Sequence, residues 1–217
     1  MGAHGASDKL GRVLLATVLV GGALGALSVF GEGPGRPRAL VLVANLASPW
    51  GLAALFLGRW TREPRRGAIA GAGALVLGMV AFYVFTPALY LHGIRDIIWT
   101  AVALIVGPIM GLCGALTLSH RHRRVALLAL AAPSAMLLSE TLWLAKDRRA
   151  WAWNLRLEPQ RIVDVVVLIV LAVLAFLLPR LLSNDRDRFP RVYLLVVVLA
   201  IAGAVGFVTL QWVLLHV

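Results

Sequence analysis

Apolar residues occupy the chain in seven long runs, and short polar or basic segments separate them. The runs cover residues 13–30, 39–58, 67–91, 97–118, 125–145, 162–182 and 192–217. About 20 apolar residues of helix cross the hydrocarbon core of a bilayer, and each run is 18 to 26 residues long. Backbone groups in lipid must find partners inside their own segment, so the runs are predicted as helices. Membrane β-barrels would need alternating segments of about ten residues, a pattern this chain lacks. The predicted fold is therefore all-α: a polytopic transmembrane bundle of seven helices, forming a single domain over residues 1–217.

The first run is flanked by Lys9 and Arg12, as a signal peptide would be. It is longer than a usual signal core, and no A-x-A site follows it. A retained first helix is the reading taken here; cleavage would leave six helices.

Composition agrees with the runs. Hydrophobic residues make up 60% and charged residues 14%, against about 45–50% and 25% in soluble domains. The formal net charge is +11. In a soluble protein that excess would point to nucleic acid. Here the basic residues lie in loops between spans, where they orient helices and attract anionic headgroups. The expected partners are thus the bilayer, anionic lipids at the cytoplasmic face and a second membrane protein, with no nucleic acid.

Loop charges set the orientation. Alternate segments, beginning with Lys9 and Arg12, hold 13 basic residues, and the opposite set holds 8. The positive-inside rule makes the richer side cytoplasmic. The expected location is the inner (plasma) membrane, with the N-terminus inside and the C-terminus outside. The segment 146–161 runs against this rule. It is basic and falls outside, but Trp151 and Trp153 suit it to the headgroup layer.

Small residues recur four apart on two helices. Gly67, Gly71, Ala74 and Gly78 share one face, as do Ala103, Gly107, Gly111 and Ala115. Such stripes let helix backbones approach closely in lipid. Prolines at 49, 87, 108, 133 and 179 interrupt five runs. A faint repeat links Pro49-Trp50-Gly51-Leu52, followed by Arg65-Arg66, with Pro108-Ile109-Met110-Gly111-Leu112, followed by Arg123-Arg124.

Polar residues inside spans are costly and mark candidate sites. With the topology above, Asn45, Trp99, Glu140, Asp164 and Gln211 fall in the outer half, and His92 and Arg95 in the adjoining loop. The candidate ligand site is Asn45, Trp50, Trp99, Glu140 and Trp143: a carboxylate, an amide and indoles able to hold a small polar or cationic ligand. The structural alternative is an aromatic belt with a paired or packed Glu140, for which Glu140→Leu would be neutral or stabilising. Catalytic motifs such as H-E-x-x-H and G-x-S-x-G are absent from the sequence. His120 and His122, two apart on a helix, would diverge. Lone Cys113 forms neither a disulfide nor a thiolate metal set and reads as a packing residue. No metal, cofactor or catalytic residue is assigned. An enzyme is the less favoured class, with Glu140 and Asp164 as its only acid pair.

The stretch from residue 45 to 143 resembles a family of small actinobacterial membrane proteins of unknown function. The resemblance rests on Asn45 with Pro49-Trp50-Gly51, on Arg65-Arg66-Gly67-Ala68-Ile69-Ala70-Gly71, on Trp99, on Gly107-Pro108 and Gly111, and on Glu140. It implies membrane location and no chemistry. The chain also has a general likeness to the substrate-binding subunits of energy-coupling vitamin transporters, which are compact and six-helical. Three functions are carried forward: small-solute binding or transport from the outer face, driven by an ion gradient or a partner; a structural or accessory subunit; and an intramembrane enzyme using Glu140.

Overall fold

The computed structural model describes residues 3–31, 35–86, 93–118, 123–146, 159–183 and 189–216. The eight helices among them are α1 (Ala3–Gly31), α2 (Arg38–Asn45), α3 (Ala47–Thr61), α4 (Pro64–Phe85), α5 (Ile94–Leu116), α6 (Arg123–Lys146), α7 (Pro159–Leu182) and α8 (Phe189–His216). Six are long and apolar enough to cross a membrane, and α2 with α3 forms a bent pair, at 55°, that passes the same test together. The outward faces are apolar, with Ile69, Val84 and Ile97 each more than two-thirds exposed. Lipid accepts such surface and water does not. The chain is a multi-pass membrane protein.

The packing of the bent pair matches a single broken span. At one end, α2 lies against the end of α1: Ser28 Oγ donates to the Ala44 carbonyl at 3.3 Å. At the other, Trp60 and Thr61 of α3 share a groove with Arg12 and Val13 near the start of the α1 span. The pair thus covers the depth of α1. Next, α4 runs parallel to α1, because Gly73 lies near Thr17 and Gly78 near Gly21. A re-entrant α2–α3 would have returned the chain to the side it left and made α4 antiparallel to α1. Six helices are long and apolar enough to cross, and the parallel packing of α4 on α1 is what a seventh crossing by the bent pair requires.

The break has a local cause. Pro49 has no N–H, and its ring would clash with the carbonyl four residues back, that of Asn45. The helix therefore stops at Asn45, Leu46 turns extended (φ −80, ψ 142), and a new helix starts at Ala47. Pro49 then sits in the first turn of α3, where a missing N–H costs little.

The small-residue stripes seat α4 on α5. A Cβ added to Gly107 would lie 2.8 Å from the Gly71 carbonyl oxygen, and one added to Gly67 would lie 2.6 Å from that of Gly111. Backbone meets backbone with no space for a side chain, as lipid-embedded helices favour. A second seam joins α1 to α4, where Gly21 packs against Ala74 and Gly78. Short side-chain bonds join other helix pairs: Tyr83 to Thr100 at 2.8 Å between α4 and α5, and Ser139 to the Ala200 carbonyl at 3.0 Å between α6 and α8.

The two Pro-to-Arg stretches do not build equivalent structure. Pro49 opens α3 at a break, whereas α5 continues as helix through Pro108. The two helices nonetheless pack side by side close to the repeat's own register, with Gly51 beside Met110, Leu55 against Gly114 and Arg59 bonded to Thr117.

Candidate functional site

A new helix start leaves donors without partners. At the start of α3 each one is accounted for. Leu46 N–H donates to the Val43 carbonyl at 3.4 Å, and Pro49 has none to donate. The N–H groups of Ala47 and Ser48 both donate to the carboxylate of Glu140, Ser48 at 3.1 Å to Oε1 and 3.2 Å to Oε2. Glu140 projects from α6 and is 3% exposed. A carboxylate there also faces the positive end of the α3 dipole. It acts as an N-cap supplied by another helix.

Beside this break lies a cavity of about 150 Å³. Ser28, Asn45, Ala47, Trp50, Met79, Phe82, Trp99 and Ala103 are among the residues that line it. Five helices, α1 to α5, and the break itself contribute. The ring of Trp50 lies over Gly78, whose missing side chain leaves room for it: a Cβ there would come 2.6 Å from the indole. Asn45 is exposed while lining the cavity, so it marks the mouth. Its amide nitrogen donates to the Val41 carbonyl at 2.8 Å.

The structure therefore brings Asn45, Trp50 and Trp99 to one cavity. Glu140 stands behind the cavity wall, reaching Ala47 from the far side. Trp143, three residues further along α6, is half-buried and is not part of the cavity lining. Asp164 serves another partner: Arg38 of α2 pairs with it at 2.9 and 3.3 Å. The two carboxylates of the enzyme reading thus serve different partners. His92, His120, His122, Trp151 and Trp153 lie outside the described residues, as do the side chains of Arg95, Gln211 and Trp212. Among the described residues no cluster of His, Cys, Asp or Glu could hold a metal ion.

Sequence reasoning missed the backbone donors of Ala47 and Ser48, and the contribution of Met79, Phe82 and Ala103. The spacing of Asn45 and Pro49, four apart, was the available signal for the first.

A family model described as a family of unknown function (DUF6518) matches residues 5–215. The chain belongs to this family. The match extends well past the stretch that carried the resemblance, and it brings no activity with it. Searches of curated proteins and of solved structures find no match.

Proposed function

We propose that this protein of the unknown-function family binds, and moves, a small solute admitted from the face where Asn45 lies. The observation that carries the reading is the cavity at a broken span, walled by two indoles and backed by a buried carboxylate. Broken membrane helices place solute sites near the bilayer interior in many transporters. The likeness to vitamin-transporter binding subunits points the same way.

Chemistry narrows the solute. A dry apolar cavity of this volume holds a molecule of about benzene size. The positive end of α3 would attract an anion, but the Glu140 carboxyl already occupies it. The indole faces favour a cation. The reading is a compact, largely apolar solute, neutral or cationic. Orientation remains part of the proposal: N-terminus cytoplasmic, C-terminus external, in the plasma membrane.

A thermal-shift series on the purified protein tests it, with benzylamine, benzyl alcohol and benzoate as probes. Saturable stabilisation by the first two, lost in Ala103→Phe, supports the site. Stabilisation by benzoate alone would overturn the charge assignment. One observation favours a second reading as an accessory subunit: Glu140 has a structural role without any ligand. No probe effect, together with a higher melting point for Ala103→Phe, would select that reading.

A further inference from the structure

A groove separate from the cavity runs between α1, α3 and α4 at the opposite end of the bundle, with a volume of about 560 Å³. Its mouth holds Arg12, Arg62 and Arg66 beside Trp60, and below them it is apolar, with Val18, Ile69 and Leu77 among its walls. We propose that this groove is a site for one anionic phospholipid, its phosphate held by the three arginines and an acyl chain laid along the groove.

Length, charge and backbone each support that occupant. From Arg66 to Leu77 the groove follows α4 for about 16 Å. That is half of the roughly 30 Å hydrocarbon core, the depth of one leaflet. A soluble anion would use only the mouth. Arg66 pairs with Glu63 at 2.8 Å, so the mouth keeps a net charge of two from its three arginines. Basic pockets between spans at the cytoplasmic end are suited to anionic headgroups, and the positive-inside reading places this mouth there. Trp60, half exposed, sits at the level that indoles prefer.

Arg62 adds an independent sign. It is the only non-glycine residue with positive φ among those described, at 56°. It follows α3 in the left-handed conformation that favours glycine. A side chain stands there against the backbone's preference, and Arg62 is one of the residues that line the groove.

The test uses the full-length protein in dodecylmaltoside with dioleoyl phosphatidylglycerol or dioleoyl phosphatidylcholine, and counts retained lipid by native mass spectrometry. One phosphatidylglycerol should stay bound with roughly thirtyfold preference, as two net charges imply. Arg62→Gly should lose about fivefold of it while melting no lower than wild type, because glycine suits that backbone. Arg12→Gln should lose a similar factor, and Arg191→Gln, outside the groove, none. Equal retention of the two lipids would overturn the proposal. So would an equal loss in Arg191→Gln, which would mean diffuse attraction. Glycerol 3-phosphate displacing the lipid at equal concentration would mean a phosphate site with no use for the groove. If either groove variant fails to fold, the wild-type comparison and the headgroup competition decide the matter.

Discussion

Glu140 on α6 and Ser48 on α3 are 92 residues apart in sequence, yet the Ser48 N–H meets both carboxylate oxygens, at 3.1 and 3.2 Å. With Ala47 beside it, this contact fixes where the second half of a broken span begins. A buried carboxylate left alone in hydrocarbon is costly. Buried N–H groups without acceptors cost about 1–3 kcal/mol each. Each group answers the other's need, and Ala47 transmits the arrangement to the cavity wall.

The first prediction follows from that pairing. Glu140→Leu strips two buried donors of their acceptor and should lower stability by roughly 2–4 kcal/mol. Glu140→Gln keeps an acceptor oxygen and loses the charge, costing about 1 kcal/mol. The alternative reading, in which Glu140 merely packs in a core, expects leucine to be neutral or stabilising, the opposite sign. That alternative requires a carboxylate with no donors to serve, whereas Ala47 and Ser48 both donate to Glu140. Thermal unfolding in detergent separates the two: leucine at or above wild type would mean the cap contributes nothing.

Asp164 should behave differently. Its bond to Arg38 is bidentate but exposed. Exposed pairs contribute about 0–1 kcal/mol, so Asp164→Asn should change stability by less than about 1 kcal/mol. A loss as large as that of Glu140→Leu would show that α2 depends on α7 for its position.

Packing between α4 and α5 supplies a third prediction. Gly111→Leu would drive a side chain into the Gly67 and Gly71 backbone, where even a Cβ lies 3.1 Å from the Gly71 Cα. Folded yield in detergent should fall severely. Leu104→Phe changes a side chain that is half exposed on the outward face, and should stay within about 0.5 kcal/mol of wild type. Similar yields for both would contradict this seam.

These sites differ in how far the sequence discloses them. Apolar run length fixes the spans, and four-residue spacing of glycine marks the α4 and α5 seam, because both are properties of one helix at a time. Loop charges give depth, which placed Asn45, Trp99 and Glu140 at one level. Azimuth is another matter. Whether Glu140 points into the cavity or behind it depends on which neighbour α6 chooses, and that is decided by packing across several helices. Pro49 announces a break, but the acceptor for the freed donors lies on a different helix. The repeat shows a related limit: Pro49 and Pro108 stand at matching positions on two parallel helices, yet Pro49 opens a helix at a break and Pro108 lies inside one.

The last prediction concerns the number of crossings, and it rests on the bent pair. By helix rise, α3 is about 22 Å long and α2 about 12 Å. With α3 along the bilayer normal and α2 tilted by 55° from it, together they cover about 29 Å, close to the hydrocarbon thickness. Neither alone is long enough. A crossing here gives seven spans and termini on opposite faces, whereas a re-entrant pair gives six and termini on the same face. The positive-inside rule then puts the N-terminus in the cytoplasm. A reporter active only outside the cytoplasm should therefore work when fused after Val217, and one fused at the N-terminus should not. Both reporters silent would indicate six spans, and would also conflict with the parallel packing of α1 and α4. An inverted result, with the N-terminal fusion alone active, would keep seven spans and reverse the orientation. The Asn45 mouth would then face the cytoplasm and the arginine-rich groove the outer leaflet. The number of crossings and their direction are thus separable by two fusions, because parity reports on the Leu46 break and polarity on the basic loops.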